Sequence, residues 1–283
     1  MSRVRIVADS TCDLSKELVE KYDITIIPLC IVMGEKSYYD GVETSPDEIY
    51  AWADANKTTP KTAAASMDLT EEILSPFMEA GDDISFFGIS SEMSTTCNVV
   101  RIVGEDKDYD RLFIVDSRNL SSGIGLQVLK AAEMAQDGKS AEEIVEKINE
   151  SKDKVSASFV VDTLTYLARG GRCTAATALV ANTLKLHPEI VVKDGKMGVN
   201  KKYRGSLDSA LMKYAKEMQE DLLNAESKRV FLTHSGCTQE TIDKIYGFLK
   251  DLNYFEEILV QRAGGVISSH CGPGTLGILY YRK

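Results

Sequence analysis

Strand and helix signals alternate along the first half of the chain, and this alternation constrains the fold more than any other feature. Val4-Arg5-Ile6-Val7-Ala8 is a short apolar run that stops at Asp9-Ser10-Thr11. Leu14, Leu18 and Val19 then recur at helical spacing, and Ile24-Thr25-Ile26-Ile27-Pro28-Leu29 is β-branched again. Ser45-Pro46-Asp47-Glu48 opens a helix: serine caps, proline suits the first position, and glutamate completes a capping box. Ile84-Ser85-Phe86-Phe87-Gly88-Ile89 and Leu112-Phe113-Ile114-Val115 have the composition of buried strands, with helices predicted after them over 95–104 and 122–136. Ser140-Ala141-Glu142-Glu143 starts a further helix, expected to run to about Glu150. Strands joined through helices run parallel and need both faces covered, and ligands of such sheets lie beyond the C-terminal strand ends.

The pattern changes near residue 155. Val155 to Val161 is a strand, followed by helical spacing near 163–168 and 174–184. Ile190-Val191-Val192 and Met197-Gly198-Val199 flank Lys193-Asp194-Gly195-Lys196, the sequence of a hairpin about a D-G turn. A helix is expected near 206–221, a strand at Val230-Phe231-Leu232-Thr233, a helix near 238–252, a strand at Ile258-Leu259-Val260 and a final strand at Ile278-Leu279-Tyr280-Tyr281. The expected architecture is α/β with two domains. The first, residues 1–155, is a Rossmann-like parallel sheet with helices on both faces; the second, 156–283, is a mixed sheet with helices.

Charge and cysteine usage exclude several classes. With 43 acidic against 33 basic residues the net charge is −10, which disfavours nucleic acid as a partner. No apolar stretch approaches the ~20 residues that span a bilayer, and the opening MSRVRIVADS carries no signal-peptide pattern. The six cysteines form neither C-x-x-C pairs nor a regular framework. Reduced thiols and a cytoplasmic location are therefore expected.

The segment Ser269-His270-Cys271-Gly272-Pro273-Gly274-Thr275-Leu276-Gly277 matches G-x-G-x-x-G, with a histidine and a cysteine in front of it. A dinucleotide loop needs a following helix and an acidic residue for the ribose, yet only Ile-Leu-Tyr-Tyr-Arg-Lys follows Gly277. A metal site needs converging ligands, and adjacent His270 and Cys271 would point to opposite faces if this segment were a strand. No cofactor and no metal are expected. A hydrolase or acyltransferase using His270 with Ser94 or Cys271 is the enzymatic alternative, although no G-x-S-x-G elbow is present. Taken alone, His270 fits a core imidazole donating to a carbonyl.

Six patches taken together are similar to the DegV family of bacterial fatty-acid-binding proteins. They are Val7-Ala8-Asp9-Ser10-Thr11-Cys12-Asp13-Leu14, Lys61-Thr62-Ala63-Ala64-Ala65-Ser66, Ser90-Ser91-Glu92-Met93-Ser94-Thr95-Thr96, Val115-Asp116-Ser117, Tyr166-Leu167-Ala168-Arg169-Gly170-Gly171-Arg172 and His270-Cys271-Gly272-Pro273-Gly274. The resemblance covers the chain from residue 4 onward. It implies a lipid-binding protein rather than an enzyme, holding one long-chain fatty acid between and within its two domains. It further implies that Thr62 and Ser94 hydrogen-bond the carboxylate, that His270 sits beside it, and that Arg172 supports the head-group region. In some relatives the bound acid is presented to a separate ATP-binding kinase subunit for phosphorylation to an acyl phosphate. Arg204 matches the arginine that docks that kinase. This chain has no P-loop of its own.

Two hydroxyls and an imidazole suit a carboxylate, because they donate hydrogen bonds without fixing a full charge beside it. Ser94 also stands at the start of a predicted helix, whose dipole favours an anion. The sequence departs from the family pattern where Ala63, Ala64 and Ala65 replace Ser-Gln-Pro, Glu92 takes a position often held by glycine, and Thr95 replaces the glycine after Ser94. An inward-pointing Glu92 would oppose a carboxylate ligand.

Overall fold

A computed structural model describes residues 3–179 and 186–283. The first half contains β1 (Val4–Asp9), β2 (Ile24–Ile27), β3 (Cys30–Met33), β4 (Lys36–Tyr39), β5 (Lys61–Ala63), β6 (Asp83–Gly88) and β7 (Leu112–Asp116). The second contains β8 (Val155–Val160), β9 (Leu186–Lys193), β10 (Lys196–Arg204), β11 (Ala225–Ser235), β12 (Glu257–Arg262) and β13 (Thr275–Arg282).

The alternating pattern produces a four-stranded sheet in the order β2-β1-β6-β7, with every pair parallel. Successive residues of β1 serve opposite faces: Ile6 and Ala8 join a core with Ile124, Leu129 and Ile144, whereas Val7 packs with Leu74, Phe86 and Val100. A separate mixed sheet follows in the order β10-β9-β8-β13-β11-β12, antiparallel except for the β11–β12 pair. Its outer face buries Val160, Val230, Leu232 and Ile278 beneath the helices Leu207–Glu217 and Gln239–Asp251. The helix Ser122–Gln136 lies between the two sheets, buried at every position from Ser122 to Leu129. A helix enclosed on all sides needs apolar or small residues all round, and Gly123, Ile124, Gly125, Leu126, Val128 and Leu129 supply them.

Local signals held where they were strong. Both capping boxes form, Ser45 with Glu48 and Ser140 with Glu143, opening the helices Pro46–Asn56 and Ala141–Ser151. The hairpin turns on Asp194 at φ 51° and Gly195 at φ 78°, the paired positive angles that a tight D-G turn requires.

Three expectations need correction or trimming. The helix expected over 206–221 is two, Leu207–Glu217 and Gln219–Leu223, meeting at Met218. The expected 174–184 helix is seen as Thr174–Leu179, and the remainder lies outside the described residues. His270 and Cys271 are not on a strand; they end the helix Gly265–Cys271. Sequence reading also omitted a small antiparallel sheet, β4-β3-β5, whose strands of three or four residues are too short to show a period.

Candidate functional site

The site is built around the helix Gly265–Cys271. The first N–H groups of a helix have no partner inside it. Here Gly264 N–H donates to Asp13 Oδ1 and Gly265 N–H to Asp40 Oδ1, each at 2.8 Å. Both carboxyls are buried, and burial pushes each above the ordinary carboxylate range. At the other end Gly272, at φ 75°, closes the helix with its N–H on Ser268 O at 2.9 Å.

His270 occupies the last turn, and its Nε2 is hydrogen-bonded to Thr62 Oγ1 at 2.8 Å, the ring tautomer deciding which group donates. Thr62 is the middle residue of β5 and turns inward, while Lys61 and Ala63 on either side are exposed. The ring can lie there because residue 170 is glycine: a Cβ at that position would fall 2.1 Å from His270 Nδ1. Burial, reinforced by the nearby Arg172 charge, pushes the imidazole down to about 4, so it is neutral at physiological pH.

Arg172 follows directly, after Gly171 ends its helix at φ 69°. It donates to Gly170 O at 2.9 Å and to Met93 O at 3.3 Å. Both partners are carbonyls, so its charge has no carboxylate partner among the described residues. Ser94 stands two residues ahead of the helix Thr96–Asp106; its Oγ accepts from Thr96 N–H at 3.3 Å and is paired with Thr96 Oγ1 at 2.9 Å.

Thr62, Ser94, Arg172 and His270 line one cavity, whose remaining wall is mostly apolar: Leu29, Ile89, Met93, Leu120, Met197, Val266, Ile267 and Cys271. It lies past the C-terminal ends of β2, β6 and β7, where a parallel sheet places ligands. A second, smaller cavity adjoins it, sharing Leu120, Ile267 and Cys271, and continues beneath Phe159 and Leu279. Four hydroxyl residues border this second space, and all four are committed elsewhere. Ser121 donates to Asp13, Ser235 to Gly272 O at 2.8 Å and Thr275 to Cys271 O at 3.0 Å, while Thr233 pairs with Ser122 at 2.6 Å. The wall facing the second cavity is therefore almost entirely carbon.

A family model described as "Uncharacterised protein, DegV family" matches residues 3–283. The chain belongs to the DegV family. A DegV domain-containing protein from Clostridium perfringens is 31% identical over 283 residues, covering 100% of each chain. Among solved structures, the fatty-acid-binding DegV family protein from Thermus thermophilus matches with a TM-score of 0.90 at 27% identity, over 99% of this chain and 100% of that one. DegV from Bacillus subtilis, a fatty acid binding protein, matches at 0.86 and 26% identity, with both chains covered to 100%. A stearic acid-binding protein from Eubacterium ventriosum matches at 0.85 and 29% identity, over 100% and 99%.

Against this DegV frame, four of the five residues singled out in the sequence converge on the cavity. Arg204 does not: it is exposed at the end of β10, paired in register with Leu186. Cys271 lines the cavity, but burial raises its thiol to about 12. Glu92 points outward to Lys196 at 3.2 Å with about half its side chain exposed, so it does not charge the cavity. Sequence reading missed Gly170, Asp13 and Asp40 as shapers of the site. The Gly170-Gly171 pair was a usable signal, since a helix end needs only one glycine. Asp40 carried none, because its partner is 225 residues away.

Proposed function

We propose that this DegV chain binds one long-chain fatty acid, its carboxylate held by Thr62, Ser94 and His270 with Arg172 alongside. The acyl tail runs from the first cavity past Leu120, Ile267 and Cys271 into the second. The observation that carries this reading is the junction of a polar end, with two hydroxyls, a neutral imidazole and a cation lacking a carboxylate partner among the described residues, to a passage with carbon walls. Burying a dozen methylenes contributes roughly 10 kcal/mol gross at ~0.8 kcal/mol each, and association costs remove a substantial part. The fatty-acid ligands named for the Thermus, Bacillus and Eubacterium relatives support the same assignment. A more open groove bordered by Arg118, Lys152, Glu189, Lys201 and Glu217 mixes both signs of charge and suits an acyl chain poorly. Residues 1–155 and 156–283 act as two domains in this reading, each supplying part of the wall.

Presentation of the bound acid to a separate ATP-binding kinase subunit is part of the proposal, with Arg204 as the docking contact. Arg204→Glu should then abolish acyl phosphate formation with such a kinase while leaving fatty-acid affinity intact. The hydrolase alternative is weaker on geometry. His270 Nε2 is engaged by Thr62 rather than by Ser94 or Cys271, and its buried Nδ1 has no orienting acid among the described residues. That alternative requires ester turnover that disappears in His270→Ala.

The deciding experiment is titration of purified, delipidated protein with palmitate, alongside Thr62→Ala/Ser94→Ala. Losing two hydrogen bonds to a carboxylate should weaken binding by at least about 100-fold with little change in melting temperature. Unchanged affinity in the double variant removes this carboxylate site.

A further inference from the structure

We infer that Asp13 and Asp40 are positioning residues of the binding site, setting through the helix Gly265–Cys271 the place where His270 meets a bound carboxylate; this rests on the fatty-acid reading above. The helix has seven residues, too few to hold itself in place by its own hydrogen bonds. Its location is decided by what grips its ends. The grip at the start is the carboxylate pair, one acid on each of two successive backbone N–H groups.

The second oxygen of each acid is tied to the opposite wall. Asp40 Oδ2 accepts from Ser10 Oγ at 2.8 Å, and Ser10 Oγ in turn accepts from the N–H of Leu29, a residue of the first cavity, at 3.1 Å. Asp13 Oδ2 accepts from Ser121, which borders the second cavity. Each carboxylate therefore links a wall of the first half to the helix that supplies Val266, Ile267, His270 and Cys271. Five residues at 1.5 Å rise place His270 about 7.5 Å from the Asp40 anchor, so a shift at the anchor is carried along the short rod to the imidazole.

Two further features argue for placement over simple stability. Neither acid has a cationic partner among the described residues; N–H and O–H groups alone hold them. Buried carboxylates without a countercharge are costly, and an apolar contact would stabilise the fold more cheaply. The approach is also too close for a side chain on the helix, since a Cβ on Gly265 would lie 2.8 Å from Asp40 Oδ1 and 2.6 Å from Ile31 Cδ1.

The test compares Asp40→Ala with Asp40→Asn, which keeps an oxygen to accept from Gly265 N–H. Asp40→Ala should lose at least about tenfold in palmitate affinity, and Asp40→Asn should stay within about threefold of wild type. A purely structural role would not move the second readout, the pH titration of the His270 ring nitrogens by NMR in ligand-free protein. In wild type the ring protonates near 4; in Asp40→Ala the midpoint should rise toward the ordinary 6.5 as the ring gains water. Arg172 is the charge facing the ring, and Asp13 and Asp40 lie beyond the far end of its helix. Burial raises the Asp40 carboxyl above the ordinary carboxylate range, so it carries little charge where the ring titrates, and removing it cannot raise the midpoint electrostatically; a rise reports displacement of the ring. Should Asp40→Ala not fold, Ser10→Ala, which leaves Asp40 on Gly265 but frees its second oxygen from the opposite wall, carries the same expected direction. The inference is overturned by a folded variant with unchanged His270 titration, or by Asp40→Asn being as damaging as Asp40→Ala. If wild type binds no palmitate, the fatty-acid reading fails on its own, and the ligand-free titration still decides the positioning role.

Discussion

Replacing Gly170 by alanine tests whether the site depends on His270 lying where it does. Gly170 ends the helix Thr165–Gly170 and is not among the glycines with positive φ, so its backbone accepts alanine. Helix propensity alone would make the change stabilising by about 0.5–1 kcal/mol. The new Cβ, however, would sit 2.1 Å from His270 Nδ1 and 2.9 Å from Cε1. Carbon contacts are comfortable only near ~3.5 Å, so the ring has to retreat by roughly 1 Å or more. That retreat takes Nε2 off Thr62, from its present 2.8 Å, and away from the carboxylate position. Overpacking costs about 1–3 kcal/mol, which helix propensity partly offsets, so stability should change by no more than about 2 kcal/mol. The hydrogen bond lost to a charged ligand is worth about 1.5–3 kcal/mol, or roughly 10- to 150-fold in affinity. Palmitate titration by calorimetry, with thermal unfolding of the same samples, separates the two effects. A stable Gly170→Ala variant that binds palmitate within about twofold of wild type would refute the reasoning.

Two other outcomes follow from the same geometry. Because the folded His270 protonates near 4 rather than 6.5, the unfolded chain binds the extra proton between those values, and wild type loses stability as pH falls through that window. His270→Gln should therefore gain on wild type by up to about 3 kcal/mol between pH 6.5 and 4, read by urea unfolding at each pH; a constant difference would show that the ring is not buried. Asp9, fully buried and raised to about 6, acts with the opposite sign, stabilising below 3.8 and losing that contribution as pH rises through 6, which is why the variant is the proper reference. Cys271→Leu should narrow the passage shared by the two cavities and weaken palmitate by at least about tenfold more than octanoate, whose tail need not pass it. Equal losses for both acids would place the tail elsewhere.

Much of the architecture was legible because it depends on neighbours in the chain. Continuous apolar runs and stripes with helical spacing lead directly to β1, β6, β7 and the helices between them. Ser45 with Glu48 and Asp194 with Gly195 satisfy their own backbones across one to three residues. The site residues Thr62, Ser94, Arg172 and His270 were legible one at a time, through family resemblance, and not as a constellation. What tertiary structure alone decided is everything that spans the chain. Thr62 and His270 meet across 208 residues, and Asp40 reaches Gly265 across 225. The direction of Glu92 depended on where Lys196 came to rest, and the helical state of His270 and Cys271 depended on two carboxylates waiting for its first N–H groups. Local propensity acts through a few adjacent torsions and hydrogen bonds, so the chain determines its own strands and helices. A cavity is the space left between elements after they pack, and no short stretch of sequence contains it.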